Sequence, residues 1–240
     1  MADKTGLLAT ANETLYQNIA SLEQMVEIFS SVFELDIAAQ AKDVICRLET
    51  IADTYFYETW DSSEIITSSL DLGFSELEHR ARELDDSAKQ LDGSINELKR
   101  IYEQSVLPQA VVMLVGSLEV YLSTVFVSCL SAKLDLSERA ISSIRERYNF
   151  QNWGDSVDAF RTFLGIELCP QDVGGSKIVG LQQRRHVLVH RLGVIDERAA
   201  RQLNSPSLVG KRLKIKQSEV MEGIKVVRRL AEHLTSTVET

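Results

Sequence analysis

The sequence predicts an all-α protein, a helical bundle with an N-terminal helical arm. Three observations carry this expectation. Only 3 Pro and 12 Gly occur in 240 residues, too few for the tight turns of an all-β chain. Apolar residues recur at helical spacing over long stretches that contain no breaker. Hydrophobic residues make up 44% of the chain, the share of an ordinary globular protein with a core to bury.

The elements follow in order. Leu15, Ile19, Leu22, Val26, Phe29 and Phe33 predict a helix from Leu7 to about Phe33. Ile37, Val44, Leu48, Ile51 and Tyr55 predict a second, from Asp36 to about Tyr57, with a break at Asp61, Ser62 and Ser63. Phe74 to Tyr102 reads as a charged amphipathic helix on which Leu77, Leu84, Leu91 and Leu98 recur at heptad spacing. Pro108 stands near the start of a helix over about Leu107 to Lys133, apolar almost all round and so a central buried element. Ser137 is the expected N-cap of a helix over Glu138 to Tyr148, and Trp153 to Leu164 predicts a further short one. After a loop from Pro170 to Gly175, Ser176 or Lys177 opens a helix that ends near Leu192, with Gly193 as its C-cap. Gly193 to Gln217 reads as irregular and basic, and Ser218 caps a last helix to about Leu234.

Charge divides the chain. The net is −9, which by itself argues against nucleic-acid binding. Residues 1–104 carry a net of −13, residues 105–175 a net of −3, and residues 176–240 a net of +7. A polyanion responds to local potential, because exposed charges more than about a Debye length away (~8 Å) are screened. The last quarter of the chain is therefore either a candidate phosphate-binding region or a solvated face paired in part with the acidic N-terminal region. We place the boundary near residue 104, with an acidic helical arm or hairpin over 1–104 and a second domain over 105–240.

Cys46, Cys129 and Cys169 are far apart and suggest neither a C-x-x-C pair nor a disulfide framework. They read as small core hydrophobes in a reducing, cytoplasmic setting. The opening Met-Ala-Asp-Lys leads into no signal-peptide core. Ala110 to Leu130 is the most apolar segment, but Glu119, Gly116 and five hydroxyl-bearing side chains favour a buried core helix over a membrane span.

The segment that carries chemistry is Gln182-Gln183-Arg184-Arg185-His186-Val187-Leu188-Val189-His190-Arg191-Leu192-Gly193. Imidazoles titrate near neutral pH, so two of them can divide the base and acid roles. Guanidinium groups bind phosphate in a planar fork and stabilise charge that develops on it. Around a helix, His186 and His190 are only about 40° apart, whereas Arg185 and His190 are about 140° apart. A site using both Arg185 and His190 therefore needs either the long Arg185 side chain to curl round the helix or a second subunit to supply one group, and the angle favours the composite site.

Arg185, four residues, then His190 resembles the motif of the HEPN superfamily: Arg, four to six residues, His, with a polar residue after the Arg, here His186. The continuation Val189-His190-Arg191-Leu192-Gly193-Val194-Ile195-Asp196 is similar to that of the RiboL-PSP-like bacterial group, and Leu118-Glu119-Val120-Tyr121-Leu122 resembles the buried helix preceding its motif. The resemblance covers roughly residues 105–236. It implies a homodimeric helical bundle that cleaves RNA by attack of the ribose 2′-OH, leaving a 2′,3′-cyclic phosphate, with no metal or other cofactor. It further implies His190 as general acid or base, Arg185 as the group holding the scissile phosphate, and His186 as an assisting group. Arg184, Arg191, Lys211 and Arg212 would bind flanking RNA phosphates, and Glu119 would support Arg185. Toxin–antitoxin pairs and other defence systems are the settings implied, with an antitoxin or another defence protein as partner and no membrane role. The tyrosine that some members carry two residues after the motif histidine is Leu192 here, so regulation through it is not expected.

Two other readings stay open at this point. His186 and His190 have the spacing of a helical zinc pair, with Asp196 or Glu119 as a third ligand. Alternatively they are interface residues of a non-catalytic RNA- or protein-binding module.

Overall fold

A computed structural model describes residues 4–33, 43, 46–47, 50, 64–133, 137–168, 174–203 and 205–238. Its elements are α1 (Lys4–Phe33), α2 (Glu64–Ile101), a π-helical turn (Tyr102–Val106), α3 (Leu107–Lys133), α4 (Glu138–Glu146), α5 (Trp153–Ala159), a second π-helical turn (Phe160–Leu164), α6 (Gly175–His190), α7 (Glu197–Gln202), a 3₁₀ turn (Pro206–Leu208) and α8 (Gln217–Val238). Among the described residues there is no β-strand, only one isolated antiparallel bridge between Val194 and Arg212. The all-α expectation holds. The chain forms two compact units, residues 1–28 with 103–240, and residues 29–102.

In the first unit α3 is the axis. Leu114, Leu118, Leu122, Val125, Phe126 and Leu130 are each at most 1% exposed, and the helix packs against α4, α6 and α8. The run Arg82–Lys133 holds an 18-residue window apolar enough to cross a membrane, of which 56% is buried inside the protein. The π turn before α3 has a covalent cause: Pro108 has no N–H to give to the carbonyl one turn back, so the hydrogen-bond ladder shifts register there. Phe126 anchors an aromatic cluster with Tyr148, Phe150, Phe160 and Phe163, at ring-centroid distances of 5.3 to 6.5 Å.

Residues 1–28, which the charge pattern grouped with the arm, pack within this unit. Leu15, Ile19, Leu22 and Val26 form one buried stripe of α1. Three polar ties fix its register: the Tyr121 hydroxyl donates to Asn12 Oδ1 at 2.9 Å, Asn18 Nδ2 donates to Ser117 Oγ at 3.1 Å, and Arg228 pairs with Glu23 at 2.7 Å.

The second unit is built largely on α2. That helix starts at Glu64, ten residues before the expected Phe74, because no proline interrupts the chain between them. Leu84, Leu91 and Leu98 of the heptad series are 40 to 46% exposed. Phe29 stacks on Tyr102 at 5.1 Å. The expected second helix lies largely, and the break at residues 61–63 entirely, outside the described residues.

Several local expectations need adjustment. Ser137 caps α4 by accepting from Ala140 N, as expected, but that helix stops at Glu146. Trp153–Leu164 splits into an α and a π part. The stretch after Gly193 is not irregular: it folds into α7, the 3₁₀ turn and the Val194–Arg212 bridge. Of the cysteines, Cys129 is buried and Cys46 is exposed, so Cys46 is no core residue; Cys169 lies outside the described residues.

Gly223 sets the distance between α8, α6 and α3. A Cβ at this position would lie 3.0 Å from Leu181 Cδ1 and 3.1 Å from Leu114 Cδ2, both ends of buried side chains. Gly223→Val should therefore overpack the junction and destabilise the protein by about 1–3 kcal/mol, read as a lowered urea midpoint. A midpoint equal to wild type would show that the three helices do not meet this closely.

Candidate active site at the end of the motif helix

α6 presents its residues in three directions. Ile178, Leu181 and Gln182 are buried, and the Gln182 side-chain carbonyl accepts from Trp153 N at 2.9 Å. Val187 packs with Ile195, Ala199 and Ala200 in a small cluster roofed by Leu203, Leu208 and Leu213. His186 and His190 lie on the remaining, exposed face, with ring centroids 4.8 Å apart.

The helix ends two residues earlier than Leu192, at His190. Gly193 N donates to Val187 O, six residues back, at 3.1 Å, one residue wider than the six-to-one bond of a Schellman motif, and the chain leaves the helix through a left-handed residue. In that ending the first left-handed residue is normally glycine. Here it is Leu192, at φ 51°, with Gly193 following at φ 78°. A left-handed leucine costs roughly 1–2 kcal/mol. Leu192 is also 83% exposed, so its side chain recovers little of that by packing.

Each arginine of the motif meets a carboxylate. Arg184 Nη2 is 2.7 Å from Glu219 Oε1 on α8, and its Nη1 donates to Gly180 O at 3.3 Å. Arg185 Nη1 donates to Glu119 Oε1 on α3 at 2.9 Å, with the two side chains 20% and 10% exposed. Arg191 Nε lies 3.3 Å from Asp196 Oδ2. The Nε atoms of Arg184 and Arg185 are buried and make no hydrogen bond. Lys211 and Arg212 are exposed on the segment that returns beside residues 193–195, held by Ile195 N to Lys211 O at 3.0 Å and Leu213 N to Gly193 O at 2.8 Å.

Electrostatics separate these groups. Burial pushes the His186 pKa below its ordinary value, and the positive fields of His190, Arg191 and Arg198 push it further, against the pull of Asp196. His186 therefore favours the neutral form near pH 7. Asp196 is held below the usual carboxylate range, first by the backbone N–H of Ala199, which it caps at 2.8 Å, and also by Arg191. Glu119 moves the other way: burial raises its pKa, and the Arg185 charge only opposes this.

The structure thus brings His186 and His190 together, with Arg191, Asp196 and Arg198 around them. It does not bring Arg185 to His190 within one chain, because Arg185 points to α3. Arg198 is the residue the sequence reading missed. Basic density after Gly193 was a signal for it, but its place beside His186 depends on how α7 packs on Val187. Among the described residues no three His, Cys, Asp or Glu side chains converge in a metal-holding group. No protein-family model, curated protein or solved structure matches this chain.

The Glu119–Arg185 pair yields a stability test. Glu119→Ala strands a mostly buried guanidinium and should cost about 1.5–3 kcal/mol. Adding Arg185→Leu should restore part of that loss. The check is a double-mutant cycle on urea midpoints, and additive losses would mean that the two side chains are not coupled.

Proposed function

We propose that this chain is an endoribonuclease that cuts RNA through its own imidazoles and guanidinium groups, acting as a homodimer. The observation that carries the reading is the pair of exposed imidazoles 4.8 Å apart, one of them pushed toward its neutral form by burial and then by its cationic neighbours. Resemblance of Arg185 to His190 and its continuation to the HEPN motif supports it independently. The reading needs no metal ion.

The chemistry divides as follows. Neutral His186 accepts the proton of a ribose 2′-OH, and the resulting oxyanion attacks the adjacent phosphorus. The bond from phosphorus to the 5′-oxygen breaks, and that oxygen leaves with a proton from His190. The products are a 2′,3′-cyclic phosphate and a 5′-hydroxyl. Guanidinium charge stabilises the extra negative charge on phosphorus as it develops. Arg185 serves this role from a second copy, exchanging its contact with Glu119 for the phosphate.

A second reading is a non-catalytic RNA- or protein-binding module. It is favoured by the observation that Arg184, Arg185 and Arg191 all rest on carboxylates. In that case the imidazoles would be contact residues only.

Cleavage of an end-labelled RNA in EDTA, with end-group analysis, decides between them. Wild type should release cyclic-phosphate ends, and His190→Ala, His186→Ala and Arg185→Ala should each slow the reaction at least ~100-fold. RNA left intact by a well-folded wild type, or cut equally by His190→Ala, excludes the nuclease. The pH profile adds a sign. Protonated His186 cannot act as base, so kcat/KM should fall with falling pH through a midpoint below the ordinary imidazole value of 6.5. Arg198→Gln removes one positive neighbour and should move that midpoint up.

A further inference from the structure

Residues 191–216 hold seven basic and two acidic residues. Six of the seven, all but Arg191, differ in kind from the other cations around the site. Arg184, Arg185 and Arg191 each spend their charge on a carboxylate. Among the described residues, no carboxylate lies within ion-pair distance of Arg198, Arg201, Lys211, Arg212, Lys214 or Lys216, and all six are exposed.

The fold explains why they face water. α7 buries Ala199 and Ala200 on Val187 and Ile195, which leaves Arg198 and Arg201, three residues apart, on its outer side. Burial then alternates along the return segment: Leu213 and Ile215 face in, while Arg212, Lys214 and Lys216 face out, the period of an extended chain. The Val194–Arg212 bridge and the bond from Gly210 N to Ile195 O at 2.8 Å hold that segment beside the end of α6. Residue by residue, apolar side chains fix a small cap on the motif helix and uncompensated cations coat it. The Arg198 charge reaches His186.

We infer that this cap is a phosphate-binding surface for a single nucleic-acid strand extending beyond the scissile bond, with Arg198 beside His186. The inference rests on the nuclease reading for the identity of the strand as RNA, but not for the binding itself. Unpaired exposed cations gain most from a polyanion, because binding releases the counterions condensed on it. Contacts to phosphate carry no sequence information, so the surface binds without sequence preference and does not read the sugar. It also makes Arg198, which no motif marks, the cation free to meet substrate first, ahead of Arg184 and Arg191.

Binding of a fluorescein-labelled single-stranded DNA of about 20 nucleotides to the full chain tests this, since DNA lacks the 2′-OH and stays uncut. Anisotropy titrations between ~50 and ~200 mM salt give the slope of log K against log salt, about −0.7 for each phosphate neutralised on a single strand. The variant carries Arg198→Gln, Arg201→Gln, Lys214→Gln and Lys216→Gln, all exposed and so of small effect on folding, which circular dichroism verifies. Its slope should shrink by about 3, with at least ~10-fold weaker binding at the low-salt end. A control variant with Lys89→Gln and Arg100→Gln, whose cations pair with Asp85 and Glu97 in α2, should keep the wild-type slope. An unchanged slope in the first variant, an equal drop in the control, or no salt-dependent binding by wild type would overturn the proposal. If DNA binding depends on the four cations but RNA is never cut, the surface stands and the nuclease reading falls. If RNA is cut and the four substitutions leave binding unchanged, the reverse holds.

Discussion

The helix that carries the two imidazoles is tied to the core through Arg185 and Glu119. A carboxylate 10% exposed on the central helix α3 accepts one hydrogen bond from a guanidinium 20% exposed on α6. Neither group is tolerable there without the other, because desolvating a lone charge costs several kcal/mol. The pair therefore fixes the rotation of α6. With Arg185 directed at α3 and Val187 at the α7 cluster, His186 and His190 are left on the open face. Ile178 and Leu181, buried on the same helix, hold that rotation as well, through close packing against the core. Gly223 acts in the same junction by letting α8 approach both α3 and α6.

Neutralisation of the motif arginines has a functional side. A guanidinium bound to a carboxylate presents a dipole and not a full charge, so three of the site's cations contribute structure first. Arg184 joins α6 to α8, Arg185 joins it to α3, and Arg191 joins the helix end to the capping aspartate of α7. The free positive charge has moved to α7 and the return segment. One of the cations that depress His186, Arg198, is supplied by a helix of only six residues, beside the effects of burial, His190 and Arg191. The leucine in left-handed conformation at the junction is consistent with this: the chain must turn there so that residues 194–216 fold back on α6, and strain of this kind persists where surrounding structure over-determines it.

The sequence-level reading succeeded where a short period governs the outcome. The buried stripe of α1 at Leu15, Ile19, Leu22 and Val26, the largely buried course of α3, and the capping of α4 by Ser137 follow from spacing or from one local hydrogen bond. It fell short in two places. Residues 1–28 were grouped by charge with the acidic arm, yet their apolar stripe packs in the unit of 103–240, because burial of that stripe outweighs the sign of exposed charges. The segment after Gly193 read as irregular because α7 is short and its two buried alanines make no periodic signal.

For the candidate site, the sequence alone determined that His186 and His190 share one helix face, since a spacing of four on an α-helix admits no other result. It also determined that the cations concentrate in the last quarter of the chain. Only the tertiary structure decided which cations remain free. Whether an arginine carries usable charge depends on whether a carboxylate from another element reaches it, and Glu119 and Glu219 lie 66 and 35 residues from their partners. Separations of that size are set by helix packing, which no local pattern encodes.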